Sequence, residues 1–395
     1  MTLYNTKILN LDNHTVYKQA FKPFNKISLN FIEDLRTELK KNKKIYEYPE
    51  LAYFIFWLRK SKIKKILEDF KDKNLRHGRG LVFHVSSSNL PTNFIYSFIF
   101  GLLSGNSNIV KIPSISFPEK EILISAIDTI LKKKKYDLIK KTNLFINLER
   151  NSENFFKISK HCDARVIWGG DNSVKSIRNI PIKPRSIELV FPDRYSFCII
   201  KSSFFYNQHK KKLELAAEKL FRDTYNLSQL ACNSPHFIFI AGKIKQKNLS
   251  LFWQYFLKII KKKVKFENFN SFEKFNELTS NIIKINSISS IDRFENYLYL
   301  VNLDSIDEIE QIRGKNGTFY VKKIKKINEL KKYITEKCQT ITYLGFSKNE
   351  MLEFVKKNNL NGVDRIVPMG QAMDIDVIWD GYETLKHLSR VITVD

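Results

Sequence analysis

Cys232 stands in the segment Leu227-Ser228-Gln229-Leu230-Ala231-Cys232-Asn233-Ser234-Pro235, between a stretch with helical spacing and a strand-like one. A cysteine at such a junction is partly exposed and has backbone N–H groups beside it, two conditions that favour a reactive thiolate and nucleophilic catalysis. The alternative is a small core residue. Asn89, in Ser86-Ser87-Ser88-Asn89-Leu90-Pro91, can offer its amide to a developing oxyanion or simply close an Asx turn. Lys111 ends the run Asn108-Ile109-Val110-Lys111-Ile112-Pro113-Ser114, where an ammonium meets a ribose hydroxyl, a phosphate or only solvent. Gly169 and Gly170, in Trp168-Gly169-Gly170-Asp171-Asn172-Ser173, permit close approach of a ligand, and the following helix N-terminus favours an anion such as a pyrophosphate. A tight turn between strand and helix would use the same glycines. Glu188 is a lone acid in the apolar stretch Ser186-Ile187-Glu188-Leu189-Val190-Phe191-Pro192. Burial would raise its pKa and suit proton transfer, while an ordinary ion pair would account for it equally well.

The elements that must position these groups are legible from apolar periodicity. Short β-branched runs at 81–85, 108–112, 143–148 and 164–168 read as buried strands. Between the second and third lies a helix with Pro118 in its first turn and Leu123, Ala126, Ile127, Ile130 and Leu131 on one face. This alternation implies a parallel α/β sheet with right-handed crossovers, and polar turns at the carboxyl ends of such strands are where ligands bind. Leu213, Ala216, Ala217, Leu220 and Phe221 mark another helix, and strands at 236–240, 299–303, 318–321 and 340–343 complete a second α/β domain. Residues 1–75 read as a mostly helical, polar region whose aromatic stretch Tyr53-Phe54-Ile55-Phe56-Trp57-Leu58 packs on the rest. The expected division is 1–75, then a cofactor domain over 76–200 completed by 362–395, then a catalytic domain over 201–361.

At 395 residues the chain is large enough for two or three domains, and 43% hydrophobic with 27% charged residues is a globular composition. Its 67 Lys+Arg against 41 Asp+Glu give a net charge of +26, which suits polyanionic partners: nucleic acid, an anionic membrane, or phosphorylated small molecules. The lysine runs at 132–135, 210–212, 261–263 and 322–326 are scattered over expected helix ends and exposed faces, which argues against a nucleic-acid or membrane-surface protein. Four cysteines without a CxxC pair indicate neither a metal site nor a disulfide framework, so the cytosol is the expected compartment. The first seven residues contain no apolar segment of a signal peptide, and the longest apolar run, 94–103, is too short to span a bilayer.

Taken in chain order, these elements resemble the aldehyde dehydrogenase superfamily. Asn89-Leu90-Pro91 resembles its Asn-Phe-Pro segment, which supplies an oxyanion donor, and Gly105-Asn106 with Lys111, Pro113 and Ser114 resembles its Gly-Asn…Lys-Pro-Ser segment, whose lysine contacts the adenosine ribose. Gly169-Gly170 falls at its glycine turn near the nicotinamide and pyrophosphate, Ile187-Glu188-Leu189 resembles its Leu-Glu-Leu with a general-base Glu, and Gln229 precedes Cys232 with the spacing Gln-x-x-Cys. Within the superfamily the chain is most similar to the LuxC-family fatty acyl-CoA reductases, over roughly residues 78–395. That likeness rests on Pro91-Thr92-Asn93-Phe94, Ala164-Arg165-Val166-Ile167-Trp168-Gly169-Gly170-Asp171, Phe191-Pro192-Asp193-Arg194-Tyr195-Ser196-Phe197 and Asn361-Gly362-Val363-Asp364-Arg365-Ile366-Val367-Pro368-Met369-Gly370-Gln371-Ala372.

The resemblance implies an α/β, aldehyde dehydrogenase-like fold: a parallel-sheet Rossmann-type cofactor domain plus a second α/β catalytic domain. It implies Cys232 as nucleophile, Asn89 as oxyanion donor, Glu188 as a candidate base, and Lys111, Ser114, Gly169 and Gly170 as cofactor contacts, with no metal. Two departures matter. Leu189-Val190-Phe191-Pro192 replaces the Gly-Gly-Lys that follows the base in hydrolytic members. Ser114 replaces the Glu that holds both ribose hydroxyls in NAD-preferring members, which leaves room for a 2′-phosphate and makes NADPH the expected cofactor. The implied activity is reduction of an acyl-CoA, or of an acyl group delivered by an acyl-activating protein, to the aldehyde. A homo-oligomer is compatible with this, and the competing activity is hydrolytic oxidation of an aldehyde.

Overall fold

The computed structural model describes residues 7–88, 90–206, 209–264 and 268–394, and the chain forms two compact α/β units, residues 1–192 with 375–395 and residues 193–374. In the first unit, the antiparallel hairpin β1 (Lys7–Leu11) and β2 (His14–Lys18) precedes three helices, and β3 (Leu75–Gly78) pairs with the C-terminal strand Ser389–Ile392. The main sheet is five-stranded and parallel, built from β4 (Leu81–Val85), β5 (Ser107–Lys111), β6 (Asn143–Ile146), β7 (Ala164–Trp168) and β8 (Ile187–Phe191) in the order β6-β5-β4-β7-β8. Every residue of β4 and β5 is buried, as covered parallel strands require.

Helix Asn93–Leu103 carries no charge and is buried along almost its whole length, so it must be covered on both sides. The N-terminal helices cover it: Phe31 meets Phe98 edge-on at 6.2 Å, Phe54 meets Tyr96 at 5.0 Å, and Trp57 meets Tyr96 at 5.5 Å. Residues 7–75 therefore contribute to the first unit's core rather than forming a separate region, and the hairpin β1–β2 precedes the expected helices.

A directed chain of hydrogen bonds runs through this unit. Trp168 Nε1 donates to Ser97 Oγ (3.2 Å), the Ser97 hydroxyl donates to His84 Nδ1 (2.7 Å), and His84 Nε2 donates to Asn108 Oδ1 (3.0 Å). Asn108 Nδ2 then donates to Asn143 Oδ1 at 2.7 Å. Gly101 lets the helix lie on this chain, since a Cβ there would sit 2.0 Å from Asn108 Oδ1. Burial pulls His84 down to about 4, so the fold favours the neutral ring. The ring is neutral when folded and protonates near 6.5 when unfolded, so its contribution is complete above pH 6.5 and shrinks as pH falls toward 4. Glu50, raised to about 7 by burial and by Glu119, has the opposite slope, and it cancels when two proteins that share it are compared. The stability gap between wild type and His84→Leu should thus narrow by about 2 kcal/mol from pH 6.5 to pH 5, measured by denaturant unfolding. A gap that stays constant would contradict a neutral buried ring.

The second unit is a seven-stranded sheet of β9 (Tyr195–Lys201), β10 (Pro235–Ala241), β11 (Ile288–Phe294), β12 (Leu298–Leu303), β13 (Thr318–Ile324), β14 (Cys338–Leu344) and β15 (Arg365–Pro368). Its order is β11-β12-β13-β10-β9-β14-β15, parallel except for the antiparallel edge strand β11. Period-2 alternation divides the core: Cys198, Ile200, Ile238 and Ile240 face the helices Lys210–Thr224 and Gln246–Lys263, while Phe197, Ile199, Phe237 and Phe239 face the opposite cluster with Met351 and Phe354.

Because β9 pairs with β10 and β14, the chain passes between units at 192/193 rather than 200/201. Likewise β15 pairs with β14, so residues 362–374 stay in the second unit and the return comes at 375. The lysine run 322–326 overlaps β13, where Lys322 is buried and its ammonium donates to the Asp304 carbonyl, so this run is not a solvated face. Among the described residues no helix is long and apolar enough to cross a membrane.

Candidate active site

Cys232 lies in the turn that enters β10 and is half-buried, whereas Cys162, Cys198 and Cys338 are fully buried. Burial pushes the Cys162 and Cys198 thiols up to about 12 and Cys338 higher still, which leaves them inert. The turn is fixed from several sides. Ser228 and Gln229 adopt left-handed backbone conformations, φ 50° and 60°, and the Gln229 side chain accepts from the Gly317 N–H (2.8 Å) while donating to the Pro235 and Thr318 carbonyls (3.2 and 3.1 Å). Ser196 Oγ donates to the Cys232 carbonyl at 2.6 Å and accepts from the Thr340 N–H at 3.1 Å. At the sulfur itself, Gln339 Nε2 lies 3.2 Å from Cys232 Sγ.

Asn233 anchors the next residue by donating to the Ala372 carbonyl at 2.6 Å. Residues 370–374 are in turn held by Asp223, whose carboxylate accepts from the N–H groups of Gly370 (2.6 Å) and Ala372 (2.9 Å). Arg365 holds the same loop by donating to the carbonyls of Ala372, Gln371 and Asp374 at 2.7–2.8 Å. Burial pushes Asp223 up to about 7 despite those two N–H donors. The sequence block over 361–372 thereby has a physical purpose: it supplies the carbonyl that fixes Asn233, the residue after Cys232.

The first unit carries the other candidate residues at the carboxyl ends of its strands. Lys111 is the last residue of β5 and is 5% exposed, and its ammonium makes no hydrogen bond or ion pair among the described residues. Burial, and secondarily the Arg150 charge, pulls it below the usual lysine range. Ser114 is exposed in the turn that follows, which Lys120 pins by donating to the Ile115 carbonyl at 3.1 Å. Gly170 caps the helix Asp171–Arg178, and a Cβ built on it meets nothing within 4 Å, so open space lies above the helix N-terminus. Arg150 reaches this turn from beyond β6 and donates to Ser173 Oγ at 2.9 Å. Ser87 Oγ, after β4, is buried without a hydrogen-bond partner among the described residues. An unpaired ammonium, a guanidinium, a hydroxyl without a partner and an open helix N-terminus are the donor set a dinucleotide needs, so these residues fit a nicotinamide cofactor. Asn89 lies outside the described residues.

Glu188 does not join this edge. The register pairs it with Arg165, three residues before the Trp168–Phe191 pair that ends both strands, which places it about 10 Å from the carboxyl edge. Its Oε1 accepts from Arg165 Nε (2.8 Å) and from a second Arg165 nitrogen (2.6 Å), and Oε2 accepts from Arg178 (3.2 Å). A carboxylate with both oxygens engaged by arginines is an ion-pair partner in this structure, the second of the two readings that the sequence left open. At the carboxyl edge of β8 stand Val190 and Phe191, the latter stacked on Trp168 at 3.8 Å.

Gln339, Ser196, Asp223 and Arg150 were not evident from the sequence. Gln339 and Ser196 are brought to Cys232 by the β10-β9-β14 order rather than by any local motif; for Asp223, an acid on the apolar side of a helix was the one available signal.

The two-unit fold is that of the aldehyde dehydrogenases. Aldehyde dehydrogenase 21 from Physcomitrella patens, solved with the reaction product succinate, superposes with a TM-score of 0.65 at 11% identity, covering 93% of this chain and 85% of that one. The Staphylococcus aureus AldH in its substrate-bound state gives 0.63 at 10% identity over 95% and 91%, and the putative aldehyde dehydrogenase PutA from Anabaena variabilis gives 0.62 at 12% over 92% and 86%. Among curated proteins none matches the chain in sequence. The chain belongs to the acyl-CoA reductase (LuxC) family, whose model matches residues 64–391. It is thus an oxidoreductase of aldehyde dehydrogenase type that acts with a nicotinamide cofactor.

Proposed function

We propose that the protein reduces a fatty acyl thioester to the aldehyde with NADPH, through an acyl group carried on Cys232. The observation that carries this is the half-buried Cys232, rigidly held and with an amide donor at its sulfur, in a chain whose other cysteines are buried. The Cys232 thiolate attacks the thioester carbonyl and forms a new S–C bond, while the Asn89 amide and the Cys232 backbone N–H take up the oxyanion charge. The C–S bond to CoA then breaks, and CoA leaves as a thiolate that takes a proton from solvent. Lys111, Ser114, Gly169 and Gly170 would hold the cofactor, with Arg150 beside them, and a reduced nicotinamide, when bound, supplies a hydride. Collapse of the resulting Cys232 thiohemiacetal oxyanion releases the aldehyde and returns the Cys232 thiolate. The acyl group can equally arrive from an acyl-activating protein, since only its carbonyl must reach the sulfur.

Ser114 in place of a carboxylate, with Lys111 and Arg150 at the same edge, supports NADPH over NADH. The pairing of Glu188 with Arg165 and Arg178 weighs against hydrolysis of the acyl-enzyme, because that acid is not available to activate water. Purified protein should oxidise NADPH faster than NADH with long-chain acyl-CoAs. With NADP⁺ and an aldehyde in the absence of CoA it should give no carboxylic acid. Acid production at a comparable rate would reverse the assignment.

A further inference from the structure

Strands β10 and β14 both carry an irregularity where they flank β9. The β9–β10 register advances from Ser196↔Pro235 to Phe197↔Phe237, and the β9–β14 register from Tyr195↔Cys338 to Phe197↔Ile341. Each flanking strand therefore has one residue more than β9 over this stretch, which is a β-bulge on either side of Ser196. Bulges re-aim side chains. The one in β14 contains Gln339 and Thr340: Thr340 gives its N–H to Ser196, which holds the Cys232 carbonyl, and Gln339 gives its side-chain N–H to Cys232 Sγ. The Thr340 hydroxyl, 3.5 Å from Gln339 Oε1, orients the amide with its nitrogen toward sulfur. Gln339 is 1% exposed, so its amide sits in a low-dielectric setting where such a bond gains strength.

We propose that the Gln339 amide holds the Cys232 sulfur as its thiolate before the substrate arrives. This rests on Cys232 being the nucleophile. A donor aimed at sulfur favours S⁻ over S–H, and the proton released goes to solvent. Other charged groups on the surrounding elements are engaged elsewhere: Arg194 with Asp364, Arg365 with three carbonyls, Arg313 with Asp193, and Asp223 with two N–H groups. His236 is buried and neutral, accepting from the Gly314 N–H.

The rate of iodoacetamide alkylation against pH reads this directly, because Cys232 is the half-buried cysteine and Cys232→Ser supplies the blank. Gln339→Met keeps the side-chain length and removes the donor. It should move the midpoint up by about one pH unit and slow alkylation about tenfold at pH 7. A folded Gln339→Met protein with the wild-type profile overturns the proposal. If that variant does not fold, Gln339→Glu decides: the carboxyl should raise the midpoint, and an unchanged midpoint overturns the proposal. Alkylation needs no acyl donor, so a protein that shows the shift yet forms no acyl adduct from acyl-CoA or from an acyl-activating protein refutes the acyl-enzyme reading and leaves this contact standing.

Discussion

On the proposed covalent route, Cys232→Ala should abolish acyl-CoA reduction, by at least about 10⁴-fold. The three remaining cysteines are buried with raised thiol pKa values and cannot substitute. Mass spectrometry of the protein mixed with acyl-CoA, without reductant, should show one added acyl group on wild type, mapped to Cys232, and none on the variant. Stability should hardly change, since the side chain is small and half-buried and the turn is fixed by Gln229, Ser196 and Asn233 rather than by sulfur. An alanine variant that still reduces acyl-CoA at the wild-type rate would end the covalent mechanism.

Glu188→Gln should be nearly the mirror image. Arg165 is 1% exposed in its side chain, so the charge it keeps after its partner is neutralised is almost wholly buried. Breaking a buried pair from one side costs about 3 kcal/mol, or roughly 6–12 °C in unfolding midpoint for a unit of this size. Turnover of the folded protein at low temperature should stay within about threefold of wild type, because Glu188 lies away from the carboxyl edge of the sheet. Calorimetry together with steady-state rates tests both halves. A thermally normal variant with a collapsed rate would restore a catalytic part for this acid.

These two residues show what a linear sequence conveys. Cys232, Lys111 and the Gly169-Gly170 turn could be singled out because their surroundings are local: a strand end, a turn, a helix start. Strands β4, β5, β6 and β7 were legible for the same reason, as buried apolar runs with a helix between two of them. For Glu188 the sequence left a base and an ion pair open, because strand register, a property of two strands, is what puts it opposite Arg165. Strand β9 was missed for a different reason. Its burial matches that of β4 and β5, but it follows β8 after only three residues with no helix between them, so the strand-helix alternation that marked the others is missing there. Gln339 lies 107 residues from Cys232, and only the order β10-β9-β14 makes them neighbours.

The bulge in β14 makes the surroundings of Cys232 depend on a count of residues as well as on their kinds. Cys338, Ile341 and Tyr343 all pack into the same core cluster, although a regular strand would turn residue 338 to the face opposite 341 and 343. The extra residue absorbs that change of parity. A chain shortened by one position between 338 and 341 would keep every side chain named in the mechanism except the one removed. It would leave 338 and 341 two positions apart, the spacing of a regular strand, so both would stay in the core. The bulge would vanish, and with it one of the two consecutive residues that give an N–H to Ser196 and a side-chain amide to Cys232 Sγ. Length between those two points is therefore under the same constraint as the cysteine itself, and tolerated variation there should consist of substitutions rather than insertions or deletions.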